Sequence, residues 1–144
     1  MIPGVILVDD STDDRYLARR VIERGGVAER VVELEDGNQL LELIDDRPRL
    51  IREFGESPLP ILVLLDVRMP RMTGFEVLEE LERRLGNPRA KKPCFIVIMF
   101  TSSNSGRDRE SALSYPFVRD YLVKPLDAET LQKAVEKHFR PFME

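Results

Sequence analysis

The chain has 144 residues, 42% hydrophobic and 33% charged, the profile of one globular domain large enough to bury a core. A net charge of −4 and a pI near 5.2 argue against a protein built to grip nucleic acid. No apolar stretch approaches the roughly 18–20 residues that cross a membrane, and no basic segment precedes a long apolar one at the N-terminus, which argues against a secretory signal.

These bounds lead us to expect a single domain over residues 1–144 that works in the cytoplasm, away from nucleic acid and membrane. The one cysteine, Cys94, has no internal partner and is expected as a small buried hydrophobe in a reducing compartment.

In chain order, the run Val5–Val8 reads as a strand and ends on Asp9-Asp10. A helix is predicted over 13–24, with Ser11 or Thr12 as N-cap, Leu17, Val21 and Ile22 on one face, and Gly25-Gly26 as its stop. The run Val31–Leu34 alternates at its end and reads as an edge strand. A second helix is predicted over 38–46 on Leu40, Leu41, Leu43 and Ile44. The stretch 47–60 is longer than an ordinary connection. Its Leu50, Ile51 and Phe54 should prolong that helix or add a short turn.

The run Ile61–Leu65 is continuously apolar, as a strand buried on both faces requires, and it ends on Asp66. Phe75, Leu78, Leu81 and Leu85 keep helical spacing over 75–85, with Glu79, Glu82 and Arg83 on the wet side and Gly86 with Pro88 as the stop. A fourth strand over 95–100 ends on Thr101. The helix predicted over 106–114 has only Ala112 and Leu113 as apolar members, so it should be the least firmly packed. A last strand over 121–123 ends on Lys124-Pro125, and a helix over 128–139 carries Leu131, Ala134, Val135 and Phe139.

Strand–helix alternation five times over means an α/β fold with a parallel sheet and right-handed crossovers. Ligands of an open, doubly wound sheet bind beyond the carboxyl ends of the strands, where strand order reverses. With order 2-1-3-4-5, strands one and three are neighbours there. Asp9, Asp10 and Asp66 then cluster, flanked by Thr101 and Lys124. Three carboxylates this close raise each other's pKa unless a cation intervenes, and a small hard divalent ion such as Mg²⁺ suits oxygen donors. Such a site can bind phosphoryl oxygens through the cation, Lys124 and the Thr101 hydroxyl, while Asp66 acts as a carboxylate nucleophile.

The segments Ile6-Leu7-Val8-Asp9-Asp10, Leu64-Leu65-Asp66-Val67-Arg68-Met69-Pro70 with Gly74, Thr101-Ser102, and Tyr121-Leu122-Val123-Lys124-Pro125 together resemble the receiver domains of two-component response regulators. The match runs over almost the whole chain. It also resembles small stand-alone receivers paired with phytochrome-type kinases. The resemblance implies a flavodoxin-like fold. It makes Asp66 the phosphoacceptor, Asp10 a direct Mg²⁺ ligand, Asp9 a ligand largely through water, and the Arg68 backbone carbonyl a further ligand. Thr101 and Tyr121 become switch residues, Lys124 the phosphoryl partner, and the Lys124–Pro125 bond cis.

The same resemblance implies a histidine kinase or histidine phosphotransfer protein as donor. It also implies a surface of the fourth helix, fifth strand and fifth helix for output contacts or a homodimer. Arg68 and Ser103 fall at variable positions near the phosphoryl group, and Ser102 stands where alanine is most usual. The implied role is a signalling domain rather than an enzyme.

Simpler readings exist for each part. Asp9-Asp10 can cap the following helix, Lys124-Pro125 can be a turn, and Tyr121 can be a half-buried strand residue. His138 is expected on the last helix, away from the site, as a surface or boundary residue. A Mg²⁺-dependent aspartate phosphatase needs a second Asp two residues after the first, where Arg68 stands. A flavin module needs a hydroxyl- and glycine-rich phosphate loop, where this chain has Asp9-Asp10-Ser11-Thr12-Asp13-Asp14. A scaffold with no phosphorylation would not need all five site residues, Asp9, Asp10, Asp66, Thr101 and Lys124, and all five are present.

Overall fold

A computed structural model describes residues 1–85, 94–102 and 104–143. The strands are β1 (Val5–Val8), β2 (Val31–Leu34), β3 (Ile61–Leu65), β4 (Phe95–Thr101) and β5 (Val118–Val123). They form one parallel sheet in the order β2-β1-β3-β4-β5. The helices are α1 (Thr12–Gly25), α2 (Gly37–Asp45), α3 (Arg47–Phe54), α4 (Gly74–Leu85), α5 (Gly106–Leu113) and α6 (Ala128–Met143).

Alternation along each strand sends side chains to two separate cores. Ile6, Val8, Val63, Leu65, Val97 and Met99 face the layer of α2, α4 and α5, packing with Leu40, Leu43, Val77, Leu78, Leu81 and Ala112. Val5, Leu7, Leu62, Leu64, Ile98 and Phe100 face α1 and α6, packing with Ala18, Ile22, Leu131, Val135 and Phe139. This is the doubly wound arrangement expected, with β2 at one edge and the β1–β3 switch point in the middle.

Several local expectations are corrected. The stretch after α2 neither prolongs it nor forms a mere turn. Asp46 closes α2 and also caps α3, accepting the Arg49 amide at 3.1 Å, while Pro48 takes the first turn, where a missing N–H costs nothing. The inner face of α1 is Arg15, Ala18 and Ile22, and Leu17 is exposed. β5 begins at Val118 rather than at 121, because its polar Arg119 and Asp120 lie on an edge strand that water can reach. α6 runs through Pro141 into its last turn, where a lost amide donor matters least.

Cys94 is exposed. It stands just before β4 at the rim of the sheet, and its carbonyl accepts the Ile61 amide at 2.9 Å. The stop expected at Gly86 and Pro88 lies outside the described residues, as does the side chain of Ser103.

Candidate functional site

Parallel pairing of β1 with β3 sets Val8 beside Leu65, so the residues that follow, Asp9 and Asp66, leave the sheet side by side. The Asp66 amide donates to the Val8 carbonyl at 3.0 Å. Carboxylate oxygens of Asp9, Asp10 and Asp66 all lie within 4.8 Å of one another. Asp9 and Asp66 are each 5% exposed, while Asp10 opens to solvent.

Thr101 is fully buried at the end of β4, and its hydroxyl hydrogen-bonds Asp66. Lys124 directly follows β5, its amide donating to the Thr101 carbonyl at 2.8 Å, and the Lys124–Pro125 bond is cis. Its ammonium is hydrogen-bonded to Asp9, lies 2.9 Å from Asp14 Oδ2 and 3.5 Å from Asp66 Oδ2.

Desolvation by burial pushes the Asp66 carboxyl above the ordinary aspartate value. The Lys124 ammonium opposes the rise, the neighbouring Asp9 charge adds to it, and hydrogen bonds from Thr101 and the Arg68 amide pull it back. Burial also works against the Lys124 ammonium. Its hydrogen bonds to Asp9 and Asp14 and the charge of Asp66 outweigh that and hold its pKa above the usual lysine value.

The donor set passes the test for a hard divalent cation. Three clustered carboxylates, one of them solvent-open, can supply oxygen ligands and leave room for water. Gly74 makes the geometry possible. A Cβ there would sit 2.4 Å from the Asp66 carbonyl oxygen, and the Gly74 amide donates to the Val67 carbonyl at 2.9 Å. The start of α4 is thus tied down directly behind Asp66.

Tyr121 is buried at 3% exposure, with the Arg109 guanidinium 5.7 Å from its ring centroid. His138 lies within α6, half-buried, with Nε2 3.0 Å from Asp120 Oδ2. The Arg68 amide lies 3.4 Å from Asp66 Oδ1, but its guanidinium pairs with Asp108 on α5 at 2.9 Å.

Sequence reasoning missed three contributors. Asp14 shares Lys124. Arg15 is 7% exposed and donates to the Asp9 carbonyl at 2.6 Å while pairing with Glu33 at 3.3 Å. Asp108 receives Arg68. A pattern search for apolar faces cannot find a buried arginine, although Arg15, Ala18 and Ile22 do keep helical spacing.

Comparison with known proteins bears on the family and the fold. The family model for the response regulator receiver domain matches residues 5–136. The chain is 34% identical to the probable methanogenesis regulatory protein FilR2 of Methanothrix harundinacea over 92% of its own length and 79% of the relative's. It is 30% identical to response regulator Rcp1 of Synechocystis over 92% and 83%. A crystal structure of a two-component response regulator from Cytophaga hutchinsonii superimposes with a TM-score of 0.77 at 25% identity, covering 93% of this chain and 94% of that one. A Mn²⁺-bound structure of Rcp1 superimposes with a TM-score of 0.64 at 24% identity, covering 93% and 91%.

Proposed function

Because the chain belongs to the family of response regulator receiver domains, we propose that Asp66 accepts a phosphoryl group from a histidine kinase or a histidine phosphotransfer protein. The observation that carries this reading is the convergence of Asp9, Asp10 and Asp66 at the carboxyl ends of β1 and β3, with Thr101 and Lys124 against them. A carboxylate oxygen of Asp66 attacks phosphorus, the bond from phosphorus to the donor imidazole nitrogen breaks, and the imidazole leaves with that electron pair.

Receiver domains hold a divalent metal, and here Mg²⁺ is the proposed ion. Asp10, Asp66 and the Arg68 carbonyl are its direct ligands, with Asp9 acting largely through water. When bound, it supplies Lewis-acid charge to the phosphoryl oxygens. Lys124 is the mobile cation that leaves Asp9 and Asp14 for a phosphoryl oxygen. The Thr101 hydroxyl exchanges Asp66 for another. Loss of the Thr101 contact is then passed to Tyr121, and phosphorylation shifts a two-state equilibrium at the surface of α5, β5 and α6. That surface serves an output protein or a second copy of the chain, in the cytoplasm, without nucleic acid.

Arg68 stands where an aspartate phosphatase would carry its second carboxylate, so the role proposed is signalling, not turnover of phosphate esters. Intact mass after incubation with acetyl phosphate and Mg²⁺ tests the reading. The wild type should gain one phosphoryl group, labile to hydroxylamine, and Asp66→Asn should gain none. An equal gain in both proteins would remove Asp66 from the reaction. Asp10→Ala should weaken Mg²⁺ affinity by about tenfold or more, a loss of roughly 1.4 kcal/mol. Unchanged affinity by titration would strike Asp10 from the ligand set.

A further inference from the structure

The loop after Asp66 holds a cation that the reaction above does not use. The Arg68 guanidinium is bonded to both oxygens of Asp108, at 2.9 and 3.2 Å. The two partners differ in freedom. The Arg68 side chain is 68% exposed and that of Asp108 only 10%. Asp108 is fixed in the first turn of α5, where its amide donates to the capping Ser105 hydroxyl at 3.3 Å. The Arg68 backbone, meanwhile, lies within 3.4 Å of the Asp66 carboxylate. One solvent-open guanidinium is therefore held by a buried carboxylate on α5, on a residue whose backbone borders the position where a phosphoryl group would form.

A phosphoryl group changes that balance. It carries nearly two negative charges and three acceptor oxygens, and a planar guanidinium binds such a group in fork geometry more strongly than it binds one carboxylate. The far end of the exchange is the most weakly held helix. Among its described residues, only Asp108 and Ala112 of α5 are buried.

We propose that Arg68 is a charge-competition arm. Asp108 holds it while Asp66 carries no phosphoryl group, and the phosphoryl group draws it over, loosening the first turn of α5. Arg68 is thus a positioning residue for the phosphoryl group, and Asp108 sets the strength with which that group is held by competing for its counter-ion. The proposal rests on the assignment of Asp66.

The test is a beryllofluoride titration at saturating Mg²⁺ on the full chain, with wild type, Arg68→Ala, Asp108→Asn and the double variant. Asp108→Asn keeps the side-chain shape and frees the arm, so beryllofluoride should bind about three- to tenfold more tightly. Arg68→Ala should weaken binding by a similar factor, and the double variant should match Arg68→Ala. An Asp108→Asn variant that binds no more tightly, or whose gain survives in the Arg68→Ala background, overturns the arm.

Should a variant fail to fold, the wild type alone suffices. Its Arg68 Nε–H resonance should shift and its α5 amides should exchange faster when beryllofluoride binds, and a resonance and exchange rates that stay put overturn the proposal. Failure of the Asp66 assignment looks different: wild type and Asp66→Asn would then respond identically to beryllofluoride, and the arm would fall with it.

Discussion

Asp66 is buried among its own kind, and the sign of its linkage follows. Its folded pKa lies above the ordinary value because of burial, with Asp9 adding to the rise. The neutral form is therefore the one that folding favours. Its contribution to stability is whole below the unfolded aspartate pKa, about 3.9, and is lost as pH rises through the folded value. In the absence of divalent cation, Asp66→Asn should thus melt a few degrees above wild type at neutral pH, and the gap should shrink as pH falls below the carboxylate range. Melting curves in EDTA across pH read this directly, and a gap that widens toward acid would reverse the sign. Lys124 has the opposite role, since its ammonium is shared by Asp9, Asp14 and Asp66. Lys124→Ala leaves those carboxylates without their cation, and removing one partner of a buried pair costs about 3–5 kcal/mol. A melting temperature equal to wild type without added metal would show that the ammonium stabilises nothing. At this scale the sequence was informative where a polar residue ended an apolar run, as at Asp66, Thr101 and Lys124. It was silent where a charge lay on a helix facing the sheet, as with Arg15 and Asp14.

The elements differ in how they are held. Gly74 begins α4 against the Asp66 carbonyl, and a methyl group there would meet backbone rather than a side chain that can step aside. Gly74→Ala should cost about 1–3 kcal/mol, the range for overpacking, and should slow phosphorylation by displacing Asp66. Denaturant unfolding with an unchanged midpoint would contradict this. By contrast α5 buries only Asp108 and Ala112, whereas α4 buries Gly74, Val77, Leu78 and Leu81. Amides of α5 should therefore exchange with solvent well before those of α4, and equal protection would show that α5 is held by more than these contacts. Element positions were legible wherever apolar residues recur with one period: β1, β2 and β3 match their expected limits, and β4 differs by one residue. The start of β5 was not legible, because Arg119 and Asp120 carry no apolar signal on an exposed edge. Nor was α3, whose separate start depends on Asp46 closing one helix and capping the next.

For the whole molecule, two cores on opposite faces of one sheet fix the ends of its strands, and the site is built from the ends of β1, β3, β4 and β5. Strand order makes β1 and β3 neighbours, which is why residues far apart in sequence form one acidic cluster. A divalent cation that binds only the folded chain should stabilise all of it. At a hundred times its dissociation constant the gain is about 2.7 kcal/mol, and Asp10→Ala should forfeit most of it. The central claim is narrower: Asp66, among three clustered carboxylates, takes the phosphoryl group. Borohydride reduction of the acetyl phosphate-treated protein, followed by tandem mass spectrometry, tests it most directly, because the reagent converts an aspartyl phosphate to homoserine. Homoserine at position 66, with Asp9 and Asp10 unchanged, is the expected result. Homoserine at another position, or none in a protein that has gained the phosphoryl mass, would contradict the assignment.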